Sequence, residues 1–586
     1  MPSTDRARRG RRAFLKQLPG AVAAGLAAPT LAENAAAIAQ PAAAPDSTTL
    51  TADMLGVAQQ VTALALPPTD LEQARTLVER NRANITQLRS VAVPSDTEPA
   101  FGFRPRGGAL PGDGSSQAGT VDLPELTTPA LARPARLEDL AFAPVTTLAA
   151  LVRARRVSSV ELTRMYLERL KRHDPTLHCV VTLTEPLALA EAEAADREIA
   201  GGRYRGPLHG IPYGIKDLFA TKGIPTTWGA QPYASQVFDY DATAVTRLRE
   251  AGAVLVAKLS TGELAVGDLW FRARTRNPWN PEKGASGSSA GPASAVAAGL
   301  VGFAVGTETG GSIISPASTC GVVGLRPTYG RVPRTGCMTL RWTLDKVGPI
   351  TRSVGDAALV LQALVGPDGH DDTVTPVPFS WNGSREMRGL RIGVVTREFD
   401  LPPDGASAEE RQAWTLRKVH LDAALAVYRK AGATFVPISL PDLPAAAVYA
   451  ILNAEAGAMF DELLRSGGIN ELADKGTNGR ANQLRAARFI PAVDYIRAQR
   501  VRTLLATRMN ATFESIDVFL APSSSDSVTM TNLTGHPAAV VPAGLVDGLP
   551  MALMVTGPLW REDLVLQVAG AFESATDWHE RHPALG

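Results

Sequence analysis

The sequence predicts an α/β fold, with a large sheet covered by helices on both faces. Three observations carry the prediction. Short apolar runs (AVLVAKL, LRIGVVT, IDVFLAP, AAVVPAG and MALMVTG) are each bounded by Gly, Pro or polar residues and read as buried strands. Helical segments alternate with them, the pattern of a sheet packed on both sides. The composition, 45% apolar and 20% charged over 586 residues, is that of a globular chain with one large domain or two to three smaller ones, and no internal repeat is visible.

Taken in order, residues 1–45 open with a basic segment, DRARRGRRAFLK, followed by a weakly apolar stretch broken by Pro19 and Gly20. That stretch is too short and too weak to span a bilayer, so no stable membrane insertion is expected. Arg11-Arg12-Ala13-Phe14-Leu15-Lys16 resembles a twin-arginine export signal, and Ala37-Ile38-Ala39 offers a small-residue cleavage site, among other alanines nearby. The expectation is an exported protein, periplasmic or extracellular; the bland reading is a basic tail. Residues 46–103 carry a helical extension in which Leu71, Ala74, Leu77, Val78, Ile85 and Leu88 line one face. Residues 104–137, rich in Gly, Pro and Ser, read as an extended connector, and the main domain is 138–586. Within it, Ser158 and Glu161 have capping-box spacing and open a helix expected to stop at Pro175. Residues 403–510 are mostly helical in pattern and suit the cap or wall of a pocket.

The balance of 59 Lys and Arg against 58 Asp and Glu argues against a nucleic-acid partner held by charge. Eight His and three Cys (Cys179, Cys320, Cys337) show no metal-ligand spacing, so no metal is expected, and an odd, sparse cysteine count is no disulfide framework. Cys320 and Cys337 read as small buried hydrophobes.

The run KGASGSSAGPASAV at 283–296 has the composition of a flexible linker but precedes what reads as packed core. It lacks both the GK[ST] ending of a phosphate loop and the GxGxxG of a dinucleotide loop. Gly287-Ser288-Ser289-Ala290-Gly291 matches the GxSxG of a nucleophile elbow and would nominate Ser289, with His536, His579 or His582 as base. An elbow needs a strand just before it, and PWNPEKGAS at 278–286 does not read as one. A third reading joins two loops: Thr307-Glu308-Thr309-Gly310-Gly311-Ser312 ends 24 residues after Ser288, across a small-residue helix and a buried strand. Glycines there let successive N–H groups converge on one point, the donor set that an acyl-transfer oxyanion requires. A serine needs a base. Lys216, in GIPYGIKDLF, qualifies only if desolvated; read locally it is as well a surface cation beside Asp217.

GPLHGIPYGIKDLF, GASGSSAGPASAVAAGLVGFAVGTETGGSI and CGVVGLRPTYGRV, in this order, resemble the amidase signature family, and the likeness runs from about residue 138 to 575, through TNLTGHPAAVVPAG and LPMALMVTG. The resemblance implies a large mixed sheet of that family's fold and a Ser–cisSer–Lys triad. Position by position, Lys216 is the base, Ser288 the proton relay behind a cis peptide bond, and Ser312 the acyl-accepting nucleophile. The backbone N–H groups of Thr309, Gly310, Gly311 and Ser312 form the oxyanion hole. It further implies hydrolysis of a carboxamide, or a related ester or carbamate, with no cofactor and a small-molecule amide as the partner; a homodimer stays open. Two alternatives remain: a His-dependent esterase using Ser289, and the A component of a tRNA-dependent amidotransferase, which export and near-zero net charge oppose.

The chain departs from the family pattern at several places. Glu308 stands where Asp is common, and Ile314 where an arginine follows the nucleophile by two residues. Ala290 and Pro292 replace Gly and a small polar residue. Arg326 and Asp345 read as loop braces, and Trp228, Trp270 and Trp279 as core or pocket wall.

Overall fold

A computed structural model describes residues 49–62, 64–102, 120–121, 132–400, 402 and 405–585. The expected export segment and most of the connector lie outside the described residues. Residues 47–586 form one compact unit.

Its centre is an 11-stranded mixed sheet. Among the described residues the strands in chain order are β1 (Val180–Leu183), β2 (Pro212–Lys216), β3 (Val254–Leu259), β4 (Arg276–Asn277), β5 (Asn280–Gly284), β6 (Phe303–Glu308) and β7 (Val323–Arg326). Then follow β8 (Lys346–Thr351), β9 (Arg391–Val395), β10 (Thr434–Ile438), β11 (Val518–Pro522), β12 (Ala538–Val546) and β13 (Leu549–Thr556). The sheet order is β1-β3-β2-β6-β8-β7-β12-β13-β11-β9-β10, while β4 and β5 pair separately. β3, β2 and β6 run parallel side by side, with Ile215 opposite Val305.

The strands read as unbroken apolar runs because both faces are buried. In β12, Ala539 and Val541 enter one core and Ala538 and Val540 the other; in β13, Leu553 and Val555 face the first and Ala552 and Met554 the second. Period-two alternation thus feeds two cores from one strand, each fully buried Val or Leu contributing about 1.5–3 kcal/mol. All five apolar runs named from sequence are strands.

Four local expectations meet corrections. The Ser158 capping box is formed on both sides, but its helix, Ser159–Leu177, continues past Pro175 and ends at a left-handed His178. The Asp174 carboxylate takes the N–H groups of Cys179 and Val180 just beyond, at 2.8 Å each. Residues 403–510, expected to be helical, also contain β10, an edge strand against β9. Residues 280–284, read as no strand, form β5, but β5 belongs to the small hairpin and not to the main sheet. Cys320 is buried as expected, whereas Cys337 is only half-buried.

The helical extension is two helices, Ala52–Gln60 and Pro68–Ser90. The six apolar residues picked from periodicity are all buried. Leu71, Ala74, Leu77 and Val78 pack with Leu55 and Ala486, and Ile85 and Leu88 with Val448, Ile451, Val501 and Leu505. Asp70 pairs with Arg485 at 3.0 Å, and Arg89 grips Asp494 through two bonds of 3.0 and 2.8 Å. The extension therefore backs the helical segment 445–512.

Candidate active site

The carboxyl ends of parallel strands are where α/β sheets place ligands, because the loops leaving them converge there. β2 ends on Lys216 and its neighbour β6 ends on Glu308, which brings the lysine beside the Thr307-to-Ser312 loop. Lys216 is 0% exposed, so the surface-cation reading fails. Its Nζ donates to Ser288 Oγ at 2.7 Å and to Thr307 Oγ1 at 2.8 Å. The adjacent Asp217 is engaged elsewhere: its carboxylate pairs with the buried Lys258 at 2.9 Å and accepts the Thr227 N–H at 2.8 Å. With no carboxylate in contact among the described residues, burial pushes the Lys216 ammonium down to about 7.

The Gly287–Ser288 peptide bond is cis, at the position the resemblance implied. Ser289 acts as a tie. Its Oγ donates to the Thr307 carbonyl at 3.1 Å and accepts the Thr307 N–H at 3.2 Å, while its own N–H donates to the Ser312 carbonyl at 3.1 Å. It packs where a Cβ on Gly306 would stand. Ser289 is therefore spent on joining the two loops, and its side chain bonds no histidine among the described residues. His536 is buried with Nδ1 2.8 Å from Thr534 Oγ1, and burial pushes it down to about 3. His582 stacks on Phe142. The short β5 ends at Gly284, ahead of Ser289, so no main-sheet strand leads into an elbow.

Ser312 is half-buried, and among the described residues its hydroxyl makes no hydrogen bond. The N–H groups of Thr309, Gly310, Gly311 and Ser312 likewise have no protein acceptor among the described residues. Gly311 sits at φ +130°, which an L side chain rarely adopts, and the Tyr449 hydroxyl occupies the place of a Cβ on Gly310. The loop is closed from behind by Glu308. One carboxylate oxygen accepts the N–H groups of Ile313 and Ile314, both at 2.8 Å; the other takes Arg326 at 2.9 Å and Asn532 at 2.8 Å. Glu308 and Arg326 are both 0% exposed. Ile314 leaves the position of the family's arginine empty of charge, and Arg326, from β7, neutralises Glu308 in this chain. Asp345 braces from the other side, accepting the Thr309 hydroxyl at 2.6 Å and the Leu340 N–H at 2.6 Å.

Sequence reading named Lys216, Ser288, Ser312 and the 309–311 amides, and the fold brings them to one place. It missed Thr307 as a partner of Lys216, although Thr307 stands two residues before Thr309, near the end of β6, the strand that leads into the loop. It also missed Tyr449, from the Ala445–Ile451 helix, which no local signal marks. Trp270 is buried and reads as core, whereas Trp279 is half-buried on a cavity wall, its Nε1 donating to the Cys320 carbonyl at 2.8 Å.

A family model described as Amidase matches residues 161–530. Among curated proteins, the A component of the glutamyl-tRNA(Gln) amidotransferase of Geobacter metallireducens is 39% identical over 484 residues, covering 74% of this chain and 97% of the relative. The protein of the same name from Geobacter sulfurreducens is 40% identical, covering 73% and 96%. Among solved structures, the native peptide amidase of Stenotrophomonas maltophilia is similar with a TM-score of 0.65 at 31% identity, over 75% of this chain and 98% of its own. A bacterial aryl acylamidase of the amidase signature enzymes gives 0.66 at 25% identity, over 75% and 98%.

Proposed function

The chain belongs to the amidase signature family, and from that premise we propose that it hydrolyses a carboxamide through an acyl-enzyme on Ser312. The observation that carries the reading is Lys216: a fully buried amine held near 7 and bonded at 2.7 Å to Ser288, in a site whose half-buried serine hydroxyl and run of N–H groups have no hydrogen-bond partner among the described residues. A neutral lysine is a competent base at ordinary pH. Ser312 Oγ attacks the amide carbonyl carbon, its proton passes to Ser288 Oγ, and the Ser288 proton passes to Lys216 Nζ. The 309–312 amides stabilise the oxyanion that forms. Collapse of the tetrahedral species breaks the C–N bond, and the leaving amine takes a proton back from Lys216 through Ser288. Water then attacks the acyl ester, and the same relay returns the proton to Ser312. Export through the Arg11-Arg12 segment belongs to this reading.

A second reading has a specific observation in its favour. The curated relatives at 37–40% identity are named as the A component of a tRNA-dependent amidotransferase, the alternative that export and net charge weigh against. Those names support the second reading more directly than the 31% likeness to a peptide amidase supports the first. The same acyl-enzyme chemistry would serve there, with glutamine as the amide and the ammonia handed to a partner.

The two are separated by measuring ammonia release by the isolated chain on a panel of carboxamides, esters and carbamates that includes glutamine. Turnover of several non-glutamine amides without any partner establishes the hydrolase; turnover restricted to glutamine and dependent on the other amidotransferase components establishes the second reading. In either case Ser312→Ala must abolish the acyl adduct seen by intact mass, and an adduct that persists there refutes both.

A further inference from the structure

The helical extension lies outside the 161–530 stretch matched by the family model and supplies none of the site residues. Its attachment to the main domain is nonetheless extensive. Ile85 and Leu88, on the helix Pro68–Ser90, share one buried cluster with Val448, Ile451 and Leu344. Arg497 donates to the Leu88 carbonyl at 2.9 Å and to the Val91 carbonyl at 2.7 Å, and Arg500 to the Thr97 carbonyl at 2.9 Å. The chain leaving the extension helix is thereby strapped along the helix Ala492–Thr512.

From that cluster two short routes lead to the oxyanion loop. Val448 and Ile451 stand on either side of Tyr449 in the helix Ala445–Ile451, and the Tyr449 hydroxyl occupies the place of a Cβ on Gly310. A shift of this helix therefore moves a group packed on the loop. The second route runs through Arg341. Its Nη1 donates to the Tyr449 carbonyl at 2.8 Å, and its guanidinium lies over the Tyr449 ring, 4.1 Å from the centroid. The Arg341 N–H donates to one oxygen of Asp345 at 2.9 Å, and the other oxygen accepts the Thr309 hydroxyl at 2.6 Å. Leu344, itself in the cluster, precedes Asp345 by one residue. A close-packed interior compresses little, so displacement at Leu88 passes to its neighbours and is not absorbed on the way.

We propose that the extension is a built-in positioning element for the oxyanion loop, with Leu88 acting through Tyr449, and Tyr449 through Gly310 and Arg341. The proposal rests on the reading of Ser312 as the amidase nucleophile. Leu88 and Tyr449 are positioning residues: they fix where the 309–312 amides point, and so how well those amides meet the oxyanion. An extension that added stability alone would leave the acylation rate of the folded protein unchanged.

The test is a double-mutant cycle in the full chain. Acylation of Ser312 by 4-nitrophenyl acetate is followed by intact mass, corrected for labelling of Ser312→Ala, in Leu88→Ala, Tyr449→Ala and the double variant. Leu55→Ala is the control, because Leu55 packs on Leu71 and Ala74 within the extension and not in the Leu88 cluster. Leu88→Ala should slow acylation about fivefold, the scale of coupling carried by packed side chains. Leu88→Met, which conserves volume, should keep most of the rate, and Leu55→Ala all of it. In the Tyr449→Ala background Leu88→Ala should cost nothing further, since coupled residues are not additive. A wild-type rate in folded Leu88→Ala, or losses that multiply in the double variant, overturns the proposal. If Leu88→Ala does not fold, Ile85→Val takes its place, with a loss of about twofold expected and the same outcomes deciding. Hydrogen exchange of residues 307–320, read by peptide mass without any substrate, should be faster in Leu88→Ala than in wild type and Leu55→Ala, and equal exchange also overturns the proposal. A wild type that acquires no adduct on Ser312 overturns the amidase reading instead, and the exchange rates then decide the positioning role by themselves.

Discussion

Lys216 offers the sharpest prediction, because one buried amine sets both the pH profile of acylation and part of the stability. Its value falls from 10.5 to about 7 through burial. Only the neutral amine accepts the Ser288 proton, so acylation of Ser312 should fall tenfold per pH unit below 7 and stand near one hundredth of its plateau at pH 5. The stability sign follows from the same numbers. Between pH 7 and 10.5 the unfolded chain holds the proton and the folded chain does not, so stability rises with pH across that window and the cost is full below pH 7. At 1.36 kcal/mol per pH unit the full cost is about 5 kcal/mol. Lys216→Met removes that cost and also two hydrogen bonds, to Ser288 and Thr307, worth about 1 kcal/mol each. The variant should therefore be inactive yet more resistant to urea at pH 6–7, by about 3 kcal/mol, with the gain shrinking as pH approaches 10. Acylation by an activated amide, followed by intact mass across pH 5–9, and urea midpoints at several pH values read both effects. A flat acylation profile, or a Lys216→Met protein weaker than wild type at pH 6, would refute the neutral-lysine assignment.

Thr307→Val removes a partner of the Lys216 amine and should lower kcat about tenfold with KM unchanged, measured by steady-state kinetics; an unchanged kcat would reduce Thr307 to packing. Glu308→Ala leaves the buried Arg326 guanidinium unpaired and should cost about 3–5 kcal/mol in urea unfolding, whereas Glu308→Leu combined with Arg326→Met should recover most of that loss. Replacing His536, His579 and His582 together should leave acyl labelling of Ser312 intact in the folded protein, and loss of labelling there would restore a histidine-dependent mechanism.

Much of the site is legible in the chain because its parts are local. The TETGGS segment and the Gly/Ser run carry their own signals: glycines where backbone must approach closely, serines beside them, and a small-residue helix between that can lie flat on a sheet. The strands are legible because a sheet buried on both faces needs continuous apolar runs, and β3, β9, β11, β12 and β13 supply them. β10 escaped because it is an edge strand with only partial burial, Thr434 and Pro437 being exposed, so helical neighbours masked its pattern. β5 escaped because NPEKG has no strand propensity and exists only through pairing with β4.

What the sequence determined by itself is the inventory: an α/β sheet, a helical extension with a single apolar face, two serine-bearing loops and a lysine in an apolar stretch that contains glycine. These follow from periodicity, capping and the backbone freedom of glycine, which act within a few residues. The tertiary structure alone decided the state of each group. Lys216 is a desolvated amine and not a surface cation because β3, β2 and β6 bury it with no carboxylate in contact among the described residues. Ser289 is a tie because β6 passes beside it. Glu308 remains ionised because Arg326 arrives from β7 in place of the charge that Ile314 lacks. Desolvation and ion pairing depend on what the rest of the chain brings within a few ångströms, and no local stretch of sequence encodes that distance.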